Sequence, residues 1–181
     1  HFRYIDVDGN VLWSFQDGLA IANVTELNSD GTIPLTGWGL NTMRVSRYTD
    51  VNSIPMWEYP TVPYDPNVDV SDNGSVIAVT QGTDFYLLDN LIGAVKYQMT
   101  MPDTLYATQI SVSRAGSQVV FLAEPIGNGT IGVAFALDLS GATPVVDWTL
   151  EVPKNEIGNW AGVNFSASGN KVVINGRNHI Y

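Results

Sequence analysis

Two of the five tryptophans, Trp38 and Trp160, fall outside any recurring position in the chain, and an exposed indole is the surface on which a sugar ring stacks. Around Trp160 the run from Glu151 to Gly162 gathers Lys154, Glu156 and Asn159, and elsewhere Asp84 and Arg177 offer groups that bond hydroxyls or peptide units. The other reading of both tryptophans is packing against neighbouring strands. Asp84, Glu124 and Glu156 could supply the two carboxylates of a glycosidase, although eighteen scattered acids make such pairs easy to draw. The only histidines, His1 and His179, stand at the two ends and belong to no Ser-His-Asp pattern or histidine metal cluster. Oxygen ligands alternate from Asp6 to Asn10 and from Asp65 to Asp69, as in calcium loops. The second stretch lacks the central glycine, and Val76 stands where the bidentate acid belongs, so turn chemistry is the expectation and calcium the alternative. No other cofactor is expected.

Composition narrows the partners. Eight Lys and Arg against eighteen Asp and Glu leave a net charge of −10 with no basic cluster, which disfavours nucleic acid and anionic membrane surfaces. The longest apolar run, Ile131 to Leu139, is too short to span a bilayer. The absence of cysteine removes disulfides, thiolate zinc and a cysteine nucleophile. Low charge, with N-x-S/T sequons at Asn23, Asn73, Asn128 and Asn164, points to an extracellular or periplasmic setting. The chain opens at His1 without an initiator Met and reads as mid-strand from its first residues, as a processed or partial chain would.

The elements that must position these groups repeat. A strand, a turn with Ser or Asn three residues before Gly, and a second apolar strand recur from Val68 to Val79, Ile110 to Phe121 and Val163 to Ile174, with a weaker copy from Thr25 to Ile33. The turn glycines Gly31, Gly74, Gly116 and Gly169 are spaced by 43, 42 and 53 residues. The Ser or Asn is expected to bond an N–H two residues on, while Gly supplies the positive φ. A second hairpin also repeats, an aromatic-rich strand ending in Asp, a Gly turn and a strand carrying Trp or Tyr, at Phe2 to Phe15, Phe85 to Tyr97 and Phe135 to Trp148, and Trp57 marks another such outer strand, so the anchors are Trp13, Trp57, Tyr97 and Trp148. Four strands of about five residues every 40 to 50 residues predict four-stranded antiparallel blades in a single all-β domain. The hairpins are placed near residues 25–59, 68–99, 110–150 and 163–181, with a further outer pair in 1–15.

The outer-hairpin pattern, aromatic-x-Leu-Asp-x-x-Gly-x-x-x-Trp, resembles the quinoprotein-type (PQQ-enzyme-like) and WD40-like β-propeller repeats, and does so over essentially the whole chain. The resemblance implies about four blades, with three assemblies open: the two ends sharing a blade in a four-bladed ring, two chains forming an eight-bladed ring, or part of a seven- or eight-bladed propeller. It implies that first strands line the axis and that ligands meet the loops joining fourth to first and second to third strands. Trp38, Asp84, Lys154, Glu156, Asn159, Trp160 and Arg177 are expected on that face. No vicinal cysteine pair or quinoprotein metal site can be matched. The expected function is a non-catalytic binding or scaffolding module with a glycan or protein ligand. Self-association through open blade edges is a further expectation. The alternative is a quinoprotein-like oxidoreductase or carbohydrate-active hydrolase or lyase with part of its site in other blades.

Overall fold

Four turns of one design organise the chain. In the computed structural model, which describes residues 2–16, 20–40, 43–61, 64–156, 162–176 and 178–181, Gly31, Gly74, Gly116 and Gly169 take φ between +68° and +77°. Each glycine N–H closes on the carbonyl of Asn28, Ser71, Ser113 or Ser166, three residues earlier. The side-chain oxygens of those four residues accept from Ile33, Val76, Gln118 and Lys171, at 2.8, 3.1, 2.9 and 3.2 Å. The bond therefore reaches five residues on, across the whole turn, where the sequence suggested two. The shorter bond comes from the residue inside the turn instead, as Asp30 to Thr32 N and Asn73 to Ser75 N.

These turns join the first and second strands of successive sheets. A two-stranded sheet of β1 (Phe2–Ile5) and β2 (Val11–Phe15) precedes three four-stranded antiparallel sheets. The first contains β3 (Ala20–Leu27), β4 (Pro34–Leu40), β5 (Arg44–Arg47) and β6 (Trp57–Pro60). The next contains β7 (Asn67–Val70), β8 (Ile77–Gln81), β9 (Asp84–Leu88) and β10 (Val95–Thr100). The third contains β11 (Leu105–Val112), β12 (Gln118–Pro125), β13 (Ile131–Asp138) and β14 (Val145–Pro153). A short 3-10 turn, Lys154–Glu156, leads towards β15 (Gly162–Phe165) and β16 (Val172–Asn175), a second two-stranded sheet. Beyond it, Ile174 and Tyr181 exchange backbone hydrogen bonds of 3.2 and 2.8 Å and Ile180 bridges Asn175, which is the start of a third strand.

The sheets are blades about one axis. First strands of consecutive sheets touch, β3 with β7, β7 with β11 and β11 with β15. Apolar side chains from facing sheets fill the seams. One seam joins Leu35, Val45 and Trp57 to Val68, Val79 and Leu88, and the next joins Ala78 and Phe85 to Val119, Phe121 and Leu137. Because both faces of a blade are covered, the second strands read as unbroken apolar runs, and four of the five residues of β8 are buried. The turns also interlock, since Asp72 N donates to Arg114 O and Asp72 O accepts from Ser29 N. The fold is thus an all-β propeller arc. Among the described residues the sheets β1–β2 and β15–β16 remain separate, so no blade is shared between them there and the blades form a partial propeller. Among the described residues no helix is long and apolar enough to cross a membrane.

Candidate functional site

Trp38 is not on a loop. It lies inside β4, paired to both β3 and β5, and is fully buried. Phe15 meets its ring edge-on at 5.7 Å, and the Arg44 guanidinium lies 5.5 Å from the ring centroid. Arg44 is in turn bound to Glu58 at 2.7 Å. The indole face imagined for a sugar is therefore occupied within the chain, and Trp38 packs.

Two other expected residues do reach that face but are engaged in fixing its loops. Lys154 donates to the carbonyls of Gly127 at 2.6 Å and Pro125 at 3.2 Å, tying the β14–β15 connection to the β12–β13 turn. Glu156 is buried and accepts from Asn178 N at 2.7 Å, Asn178 Nδ2 at 3.0 Å and His179 Nδ1 at 3.0 Å. The Asn178 bonds hold its carboxyl down at about 2, with His179 helping. Asp84 opens β9 and accepts from Thr100 Oγ1 at 2.6 Å and Gln98 Nε2 at 3.3 Å. Asn159, Trp160 and Arg177 lie outside the described residues. The third carboxylate of the imagined acid pairs, Glu124, accepts from the Tyr106 hydroxyl, so each acid has its own local partner.

The structure gathers a different set at this face. A groove of about 400 Å³ opens between the inner strands of the second and third four-stranded sheets. Tyr64, Asp65, Asn67, Tyr106, Thr108 and Gln109 line it. Tyr64 and Tyr106 are exposed, at 55% and 38%. The Tyr64 ring lies over Gly82, whose φ of +57° and absent side chain make room for it; a Cβ there would sit 2.6 Å from the ring. Burial and Glu124 push the Tyr106 phenol up to about 12, so it stays protonated. Thr108 is the extra residue of a bulge, where the β11–β12 register jumps between Ala107 and Gln109. Bulges re-aim side chains and interrupt pairing, which suits a binding edge. The β3–β4 ladder jumps eight residues before Gly31, as β11 does before Gly116, and Pro66 holds that position ahead of β7.

Half-buried acids mark the inner strands. Five residues before each turn glycine stand Glu26, Asp69, Ser111 and Asn164. Asp69 bridges blades, accepting from Val112 N at 2.6 Å as well as Val70 N at 2.7 Å. Burial raises it to about 6 against those bonds. Glu26 rises to about 7 through burial and the neighbouring Asp69 charge. The stretch Asp65 to Asp69 therefore runs into a strand. In the other candidate calcium loop, Asp6 accepts from Asn10 Nδ2, Asn10 N and Asp8 N at 2.9, 2.8 and 3.0 Å, which pulls its carboxyl below the usual range. That is Asx-turn geometry.

Inner strands in contact around an axis, apolar seams and repeated four-stranded sheets define the β-propeller fold. Solved structures share this fold. The C-terminal WD40 domain of Sif2 superposes with a TM-score of 0.68 at 9% identity, over 94% of this chain and 47% of that one. A chain of the mitotic checkpoint complex gives 0.66 at 13%, over 86% and 48%. BamB from Moraxella catarrhalis gives 0.58 at 12%, over 92% and 47%. The chain thus spans about half the length of each. No protein-family model and no curated protein matches the sequence.

Proposed function

We propose that this chain is a non-catalytic binding module, exposed outside the cytoplasm, that holds a protein segment in the groove between β7 and β11. The observation that carries the proposal is the pair of exposed rings, Tyr64 and Tyr106, at the mouth of a groove beside a bulged inner strand. Tyrosine combines large apolar area with a polar tip and few rotors, which suits a recognition surface. The chain of the mitotic checkpoint complex, similar in fold and part of an assembly, lends support to a protein ligand. A glycan is the less favoured ligand, because the Trp38 face that suggested one carries Arg44 instead. The sequon asparagines Asn73, Asn128 and Asn164 are exposed, which supports an exported setting.

A random heptapeptide library and a glycan array, each screened with the native chain and with Tyr64→Ala and Tyr106→Ala, test the groove. Peptide binders that weaken about tenfold or more on either substitution are expected. Binders indifferent to both would remove the groove, and turnover on a sugar or redox-dye panel would remove the non-catalytic reading.

The last seam supports a second contact, self-association. Trp148, Leu150 and Val173 stay exposed beside the free part of the β16 edge, and exposed apolar patches beside strand edges invite pairing. Light scattering that shows only monomer at about 100 μM, where even weak association would register, would dismiss it.

A further inference from the structure

We propose that the ligand of the β7–β11 groove is a peptide segment presenting an arginine side chain, an inference that rests on the groove assigned above. Charge points to this ligand. Among the lining residues the charged one is Asp65, and none is Lys, Arg or His. Glu124 sits behind the Tyr106 hydroxyl, and Asp84 and Asp103 stand in or beside the neighbouring connections. Within the described connections of this face the bases are Lys154 and His179, and both are committed, the first to carbonyls and the second to Glu156. A cation entering the groove meets two phenol rings and a carboxylate with no base on the groove wall, and the chain's net charge of −10 draws it in.

The shape of the groove favours guanidinium over ammonium. A planar, weakly hydrated guanidinium can lie against a tyrosine face while its edge donates two parallel hydrogen bonds to a carboxylate such as Asp65. Tyr64 is well placed for this, because its ring is seated on the Gly82 backbone and Asp65 follows it directly in the chain. The amide groups of Asn67 and Gln109 leave hydrogen-bonding capacity for the peptide backbone on either side, and the Thr108 hydroxyl, which donates to Leu122 O, can still accept. A ligand with a glutamate or aspartate at that point would face Asp65 and be rejected.

The test uses a fluorescein-labelled pentapeptide with arginine at its centre and glycine and serine elsewhere, beside the same peptide with citrulline, which keeps the shape and loses the charge. Anisotropy should show the arginine peptide binding about tenfold more tightly than the citrulline one, with the gap closing as salt rises. Asp65→Asn should narrow the gap, and Tyr64→Ala should abolish it. Tyr64→Phe should retain it, which separates loss of the ring from loss of fold. Equal binding of the two peptides, or no binding of the arginine peptide at about 1 mM, the weak end of useful affinity, overturns the arginine proposal. The heptapeptide library keeps the two readings apart. Enriched peptides that lack basic residues yet depend on Tyr64 and Tyr106 would leave the groove standing and discard arginine. Enriched peptides that ignore both tyrosines would discard the groove itself.

Discussion

Trp57 and Trp148 occupy the same place in repeats two blades apart, yet one is 8% exposed and the other 37%. Trp57 is capped by the outer turn of the following blade. Its Nε1 donates to Asn90 O at 2.8 Å, and its ring lies where a Cβ on Gly93 would be, 2.8 Å away. Trp13 is treated similarly, with Tyr48 from the next blade's outer connection 5.3 Å from its ring. Trp148 instead borders an open hollow with Leu150, Lys171 and Tyr181. The anchor tryptophan is therefore buried by its neighbour: the strand supplies the indole, and the next blade's outer connection covers it, with the Asn90 carbonyl and Gly93 at Trp57 and with the Tyr48 ring at Trp13.

If that is right, the largest contrast should come from removing the rings. Trp57→Ala should cost about 3 kcal/mol in urea unfolding, as buried aromatic truncations do, and Trp148→Ala about 1 or less. Equal costs would break the comparison. Next, Gly93→Ala should cost about 2 kcal/mol, since it adds a clash with Trp57 to the strain of a side chain at φ +68°. Gly9→Ala carries only the strain, at φ +87° with nothing within 4 Å, and should cost about half as much, near 1 kcal/mol. Trp57→Phe isolates the Asn90 bond and should cost about 1 kcal/mol.

The inner strands give a smaller, pH-dependent contrast with these seam effects. Glu26 is raised from an ordinary 4.5 to about 7, so between those values the folded chain keeps a proton that the unfolded chain has released. Stability accordingly falls as pH climbs through that window, and the full penalty is present above about 7. Glu26→Gln should flatten the slope and raise stability at pH 8 by roughly 0.5–1 kcal/mol, a figure discounted for partial exposure. A thermal melt series that keeps its slope would point to another group.

The blade scaffold was legible because its instructions are local. Each Ser or Asn and Gly pair closes its own turn, and Asp6, Asp89 and Asp138 each begin an outer turn by bonding nearby amides. The site was less legible because its determinants are not. In β4, Leu35, Thr36, Gly37 and Trp38 are all buried, since neighbouring blades cover both faces, and no alternation marks which way Trp38 points. The exposure of Tyr64 depends on Gly82, eighteen residues away in sequence, and the bulge at Thr108 carries no glycine to announce it. The sequence does not show that the charges of Lys154 and Glu156 are committed to loops, because their partners Gly127 and Asn178 lie 27 and 22 residues away.

The interlocked turns at Ser29, Asp72 and Arg114 have a mechanical consequence. Asp72 gives its amide to one neighbouring turn and its carbonyl to the other, and Arg114 adds an ion pair at 3.4 Å. Twisting one sheet must therefore drag the adjacent two. Deuterium should enter the Asp72 amide late and the outer strands early, as in a wheel whose hub is stiff while its rim gives.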